Sequence, residues 1–112
     1  MKDDSKGTYK LKTKNDNFPD GKIEYDFNNI NGFSSMKASQ YLQKQGYMTV
    51  MPANDNQFNA CLFALASGQD MGAIMSLGMA DFNMIATKTM YFFAVGLDSE
   101  LESSTKAENT EN

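Results

Sequence analysis

Between residues 7 and 29 the chain alternates with a period of two. Tyr9, Leu11 and Thr13 share one face of a first run, and Ile23, Tyr25 and Phe27 share one face of a second. The segment between them, Asn15-Asp16-Asn17-Phe18-Pro19-Asp20-Gly21, is dense in turn formers, so the pattern predicts a β-hairpin with a long tip. The opposite faces carry Lys10, Lys12 and Lys14 on the first strand and Lys22, Glu24 and Asp26 on the second, which predicts lysines facing carboxylates across the ladder. Two strands alone are marginal in water, so the hairpin must pack on helices or pair with strands of another subunit.

After Asn31-Gly32 the period lengthens to three and four. Ser34 or Ser35 can cap a helix that runs to about Gln45, with Gly46 as its left-handed stop. Its stripe of Met36, Ser39 or Gln40, Tyr41 and Leu42 is thin, as expected of a peripheral helix. Tyr47 to Met51 reads as short and extended, ended by Pro52. Asn54 or Asp55 then caps a helix from Gln57 to Ser67 with Phe58, Cys61, Leu62 and Leu65 on one face, and Gly68 stops it. Asp70 opens a short helix in which Met71, Ile74, Met75 and Leu77 are the candidates for burial, and Gly78 ends it. Ala80 or Asp81 opens the longest helix, to about Gly96, with Phe82, Ile85, Ala86, Thr89, Phe92 and Phe93 facing inward.

The expected architecture is α+β. One domain over residues 1–97 joins a hairpin (7–29) to about four helices (34–96), followed by a disordered acidic tail (98–112). Met71 to Leu97 is long and apolar enough to raise the question of a membrane span. Asp81 and Lys88 near its middle would cost roughly 2.5 to 3.5 kcal/mol apiece to insert, and Gly72 and Gly78 interrupt it, so two helices outside a membrane are the better reading.

Charge and composition narrow the chemistry. The chain has 112 residues, 14 acidic and 10 basic, and every basic residue is lysine; Arg, His and Trp do not occur. Asp98, Glu100, Glu102, Glu108 and Glu111 against Lys106 account for the whole net charge of −4, which leaves residues 1–97 neutral. The commonest general base and metal ligand is missing with histidine, and guanine-reading arginine is missing too, so neither catalysis nor nucleic-acid binding is expected. Cys61, set among Ala60, Leu62 and Phe63, reads as a small buried hydrophobe, and the charged start MKDDSKGTYK suggests no secretory signal, so a cytoplasmic protein is expected.

Other candidate sites have plainer explanations. Asp55, Asp70 and Asp81 recur near helix starts, where capping accounts for a carboxylate without a metal. Asn15-Asp16-Asn17 with Asp20 and Gly21 shares part of a calcium-loop pattern but lacks the closing glutamate and the flanking helices. No phosphate-binding glycine loop and no nucleophile motif is present, and no cofactor is expected. What stands out is methionine, eight of them between Met36 and Met90, a quantity of flexible apolar surface that a tightly specified core would not choose.

The order of elements, with Ile30-Asn31-Gly32-Phe33, then Gln57-Phe58-Asn59-Ala60-Cys61-Leu62-Phe63-Ala64-Leu65-Ala66-Ser67-Gly68, Met75-Ser76-Leu77, Ala80-Asp81-Phe82-Asn83-Met84-Ile85 and Tyr91-Phe92-Phe93-Ala94-Val95-Gly96, resembles the tail assembly chaperones of long-tailed double-stranded DNA bacteriophages and prophages. The resemblance covers roughly residues 8 to 97. It implies a non-enzymatic factor of the bacterial host cytoplasm that coats the helical tape measure protein, keeps it soluble while tail tube subunits polymerise, and then leaves. Tape measure helices are the implied partner, with the tail tube protein second, and self-association would add avidity. The expected partner groove is lined by Met71, Met75, Met79, Phe82, Met84 and Met90, since a partner with many non-identical helical stretches calls for adaptable contacts. A small structural virion protein of tail or head completion, and a phage-encoded anti-defence or sequestering protein with a pocket near Tyr41, Tyr47 and Lys88, are the competing readings.

Overall fold

The computed structural model describes residues 5–48 and 55–93. The element order is β1 (Lys6–Lys10), β2 (Lys22–Asp26), a 3-10 turn (Phe27–Asn29), α1 (Gly32–Lys44), α2 (Asn56–Ser67) and α3 (Met71–Met75). A final helix, α4, covers residues 79–93. The fold is α+β, a two-stranded antiparallel hairpin followed by four helices.

The hairpin pairs Tyr9 with Ile23 and Gly7 with Tyr25 on the inner face, and Lys6 with Asp26, Thr8 with Glu24 and Lys10 with Lys22 on the outer. Two expectations are corrected here. The first strand ends at Lys10 and does not reach Thr13, because after Leu11 the amides of Lys12 and Thr13 turn away to the Asp81 carboxylate at 2.8 and 3.0 Å. The charge complement is also partial: Lys6 faces a carboxylate, but Lys10 faces another lysine. Phe18, in the middle of the tip, is buried in the core and so makes the tip a packed element. Asn15 and Asn17 tie that tip to the end of α3, their side-chain amides donating to the Ser76 carbonyl at 3.1 Å and the Ser76 hydroxyl at 3.0 Å.

The first three helices begin on a side-chain acceptor. Asn31 caps α1, accepting from the Phe33 amide at 2.9 Å, while the Ser34 hydroxyl accepts from the Asn31 amide at 3.0 Å to close a capping box. The cap is therefore three residues upstream of Ser34, and the stripe that α1 buries is Ser34, Ala38 and Leu42, one turn apart, and not one that includes Met36. Asp55 caps α2 through the Phe58 amide at 2.9 Å, and Asp70 caps α3 through the Ala73 amide at 3.2 Å. Gly68 ends α2 at φ 69°, where a Cβ would be strained, and its amide and that of Gln69 return to the last turn.

Helix α2 is the centre of the molecule. Every residue from Phe58 to Ala64 is buried, so its core face widens far beyond the four positions expected from periodicity. On one side lies a cluster of Tyr9, Ile23, Phe27, Phe63, Ile74 and Ile85 that joins the hairpin to α3 and α4. On the other, Ala38, Leu42, Phe58, Cys61 and Leu62 join α1 to α2. Phe63, Ile74 and Ile85 are fully buried, each such side chain stabilising by about 1.5–3 kcal/mol. Phe27 anchors the base of the hairpin, stacked on Phe92 at 4.7 Å between ring centroids and 5.6 Å from Phe93.

Among the described residues no helix is long and apolar enough to cross a membrane. The extended segment expected at Tyr47–Met51, the end of α4 near Gly96 and the tail 98–112 lie wholly or partly outside the described residues.

Candidate partner-binding surface

The six residues expected to line a groove do not share one surface. Phe82 is 7% exposed and belongs to the core, because it stands on the same face of α4 as Ile85, Ala86 and Thr89. Met71 and Met75, one turn apart on α3, are half-buried and pack against both core clusters, filling the seam between them. Met90 is half-buried as well. Only Met79, 70% exposed, and Met84, 44% exposed, present substantial side-chain surface.

Around these two the structure adds residues that the sequence reading left out. Tyr91, 66% exposed, lies two turns beyond Met84 on the same outer face of α4, with Asn83, Thr87 and Lys88 as polar neighbours. Phe33 and Met36 form a second exposed apolar pair, one turn apart on the outer face of α1. The signal that could have found them is exclusion. Once Asn31 is taken as the cap of α1, the buried stripe falls on Ser34, Ala38 and Leu42, and Phe33 and Met36 have nowhere to go but outward.

Electrostatics around the surface is subdued. Lys88 is held over the Tyr25 ring, its Nζ 5.9 Å from the centroid, which draws the one cation of α4 toward the hairpin and away from Met84 and Tyr91. The buried carboxylate of Asp81 accepts from the Tyr9 hydroxyl at 2.7 Å and from the Lys12 and Thr13 amides. Desolvation pushes its pKa up, but those three donors together outweigh it and hold it below the ordinary 3.8. Tyr9 is pushed well above its ordinary 10.0 by burial first and then by its bond to Asp81. Tyr47 is raised by its bond to Asp55 at 2.6 Å, which clasps the two ends of the segment between α1 and α2. Burial, with a smaller contribution from Asp55, pushes the Cys61 thiol up to about 12.

Each titratable group with a marked shift is thus committed to a structural contact. Among the described residues no cluster of three or more His, Cys, Asp or Glu side chains could hold a metal ion. An open groove of about 530 Å³ lies between the base of the hairpin and the end of α2, lined by Lys6, Thr8, Tyr25, Asp26, Asn29 and Ser67 among others. Tyr41, Tyr47 and Lys88 do not line it. No family model, curated protein or solved structure matches the chain.

Proposed function

We propose that this protein is a phage or prophage tail assembly chaperone that binds apolar faces of tape measure helices in the bacterial host cytoplasm, without catalytic activity. The observation that carries the reading is the exposure of Met79, Met84 and Tyr91 along α4, in a body whose ionisable side chains with shifted pKa values serve structural contacts. Methionine and tyrosine adapt to many apolar shapes, and Met84 and Tyr91, seven residues or two turns apart, match the repeat of a partner helix laid beside α4. Phe33 and Met36 offer a second patch of the same chemistry on α1.

The test is coexpression with a tape measure protein encoded in the same gene neighbourhood, read by solubility and size-exclusion chromatography. The reading expects a soluble partner that coelutes with many copies of this protein. It also expects Met79→Ser, Met84→Ser and Tyr91→Ser together to abolish that effect with folding intact. A partner that precipitates regardless, or a triple variant that works as well as the parent, overturns it.

A further inference from the structure

The ladder fixes which backbone groups of the hairpin point outward. The Phe27 amide donates to the Ser5 carbonyl at 2.6 Å and the Leu11 amide to the Gly21 carbonyl at 2.9 Å, so Ser5, Gly7, Tyr9 and Leu11 turn their peptide groups toward β2. The N–H and C=O of Lys6, Thr8 and Lys10 therefore face the other way. All three residues are exposed, and among the described residues no strand lies on that side of β1. Outward amides and carbonyls in extended register are a template for an added strand.

Charge selects what the template accepts. From Lys6 to Lys14 the chain carries Lys6, Lys10, Lys12 and Lys14, all exposed, and no carboxylate. The acidic groups of β2 stand one strand further from the edge, Glu24 opposite Thr8 and Asp26 opposite Lys6, and the Asp26 carboxylate already accepts from the Asn28 amide. Lys10 faces Lys22, a like-charge pair that an added carboxylate would relieve.

A second copy of β1 is a poor occupant. Paired antiparallel about Thr8, two such strands would set Lys6 opposite Lys10 twice, and like charges directly across a ladder destabilise it. Lysines at this edge thus bar the chain's own strand while leaving the backbone open to one that brings carboxylates. The inner face adds a second requirement. Its positions on an added strand would flank Gly7 and Tyr9, beside the Tyr25 ring that lies over Gly7, and apolar side chains suit them.

We propose that the free edge of β1 is a docking site for an extended acidic segment of a partner protein. The segment adds as an antiparallel third strand, with carboxylates beside Lys10 and Lys6, a small β-branched residue beside Thr8 and apolar residues beside Tyr9 and Gly7. The site uses none of Met79, Met84 and Tyr91, so it does not depend on the helix-binding reading.

A blocked peptide, acetyl-Glu-Val-Thr-Val-Glu-amide, titrated into the isotope-labelled full-length protein and followed by NMR, tests this. At low salt the amide signals of Lys6, Thr8 and Lys10 should shift most, and the same peptide with glutamines for glutamates should bind about three- to tenfold more weakly. Methylating the threonine nitrogen, which faces β1 in the antiparallel arrangement, should abolish binding, whereas methylating a valine nitrogen, which faces away, should spare it. These changes leave the protein itself untouched. The protein carrying Lys6→Glu and Lys10→Glu should in turn lose the acidic peptide and take up one with lysines for glutamates. No shift at β1 overturns the proposal and leaves the lysines as guards of the edge alone. Shifts centred on Met84 and Tyr91 overturn it in favour of the α4 surface, and binding that survives methylation of the threonine nitrogen overturns it in favour of charge attraction without a strand.

Discussion

Tyr9 and Asp81 stand 72 positions apart in the chain and 2.7 Å apart in space, the hydroxyl donating to the carboxylate. Through this contact and the two amides that follow, one side chain of α4 ends β1, turns the chain into the hairpin tip and fixes the hairpin on the helices. Replacing Asp81 by Asn keeps the shape but leaves a single acceptor oxygen for three donors. We expect Asp81→Asn to lower stability by about 2–3 kcal/mol, and Tyr9→Phe, which leaves both amides bonded, by about 1–2 kcal/mol. Urea unfolding of the two variants measures both.

The same pair sets opposite pH limits. The folded-state pKa of Asp81 lies below the ordinary 3.8, so its contribution is complete above that value and drains away as pH falls through the folded value. Tyr9 is raised above 10.0, so its contribution is complete below that value and drains away as pH climbs above 10.0 toward the folded value, where the unfolded chain ionises first. The urea midpoint of the parent should therefore fall on the acid side below about pH 4, and Asp81→Asn should show a shallower acid fall. Tyr9→Phe should show a shallower alkaline fall above about pH 10. Identical profiles for parent and variants would remove the linkage.

How far the sequence alone reaches is best seen in this region. The hairpin, the starts of α2 and α3 and the stop at Gly68 follow from local chemistry: alternation, capping side chains and a residue that accepts a positive φ. The early end of β1 does not, because the competitor for its amides lies in α4. Nor does the burial of Phe18, since a phenylalanine among turn formers is plugged into the core only by what packs beneath it. The candidate surface shows the same division. Periodicity distinguishes the faces of α4, yet Phe82 and Met84 are two positions apart and belong to opposite environments, and only the packed helix says which face is inward.

Gly7 lies across the ladder from Tyr25, whose ring covers it, and a Cβ there would meet the Tyr25 hydroxyl oxygen at 2.9 Å and Cζ at 3.2 Å. That ring has little freedom, being packed at 5.1 Å from Phe27 and 5.2 Å from Phe63 between centroids. The crowding should outweigh the usual gain from replacing a strand glycine, so Gly7→Ala is expected to destabilise by about 1 kcal/mol. Adding Tyr25→Phe removes the nearest atom. In a double-mutant cycle the two changes together should cost less than their sum, and strict additivity would mean the ring yields freely.

Phe82 and Met79 separate core from surface within one helix. Phe82→Ala opens a cavity among buried aromatic and aliphatic neighbours and should cost about 3–4 kcal/mol, whereas Met79→Ser, at a 70% exposed position, should stay within about 0.5 kcal/mol of the parent. Met75→Ser belongs between them, because Met75 fills the seam between the two clusters. Thermal and urea unfolding give the order. Only a variant that leaves stability untouched can then report on partner binding, which makes Met79 and Met84 the informative positions and Met75 a poor one.

Cys61 provides a probe of the core that needs no label. Its side chain is fully buried between α1 and α2, and a thiol held at about 12 is almost wholly protonated at neutral pH, so both access and nucleophilicity are denied. A thiol reagent should therefore modify it only through opening of the α1–α2 seam. If that seam opens only with the whole domain, the modification rate should rise in step with each destabilising variant, Asp81→Asn included, although Asp81 binds the hairpin and not α1. A rate that responds to Leu42→Ala but ignores Asp81→Asn would show instead that α1 detaches by itself, leaving the hairpin and α4 folded behind it.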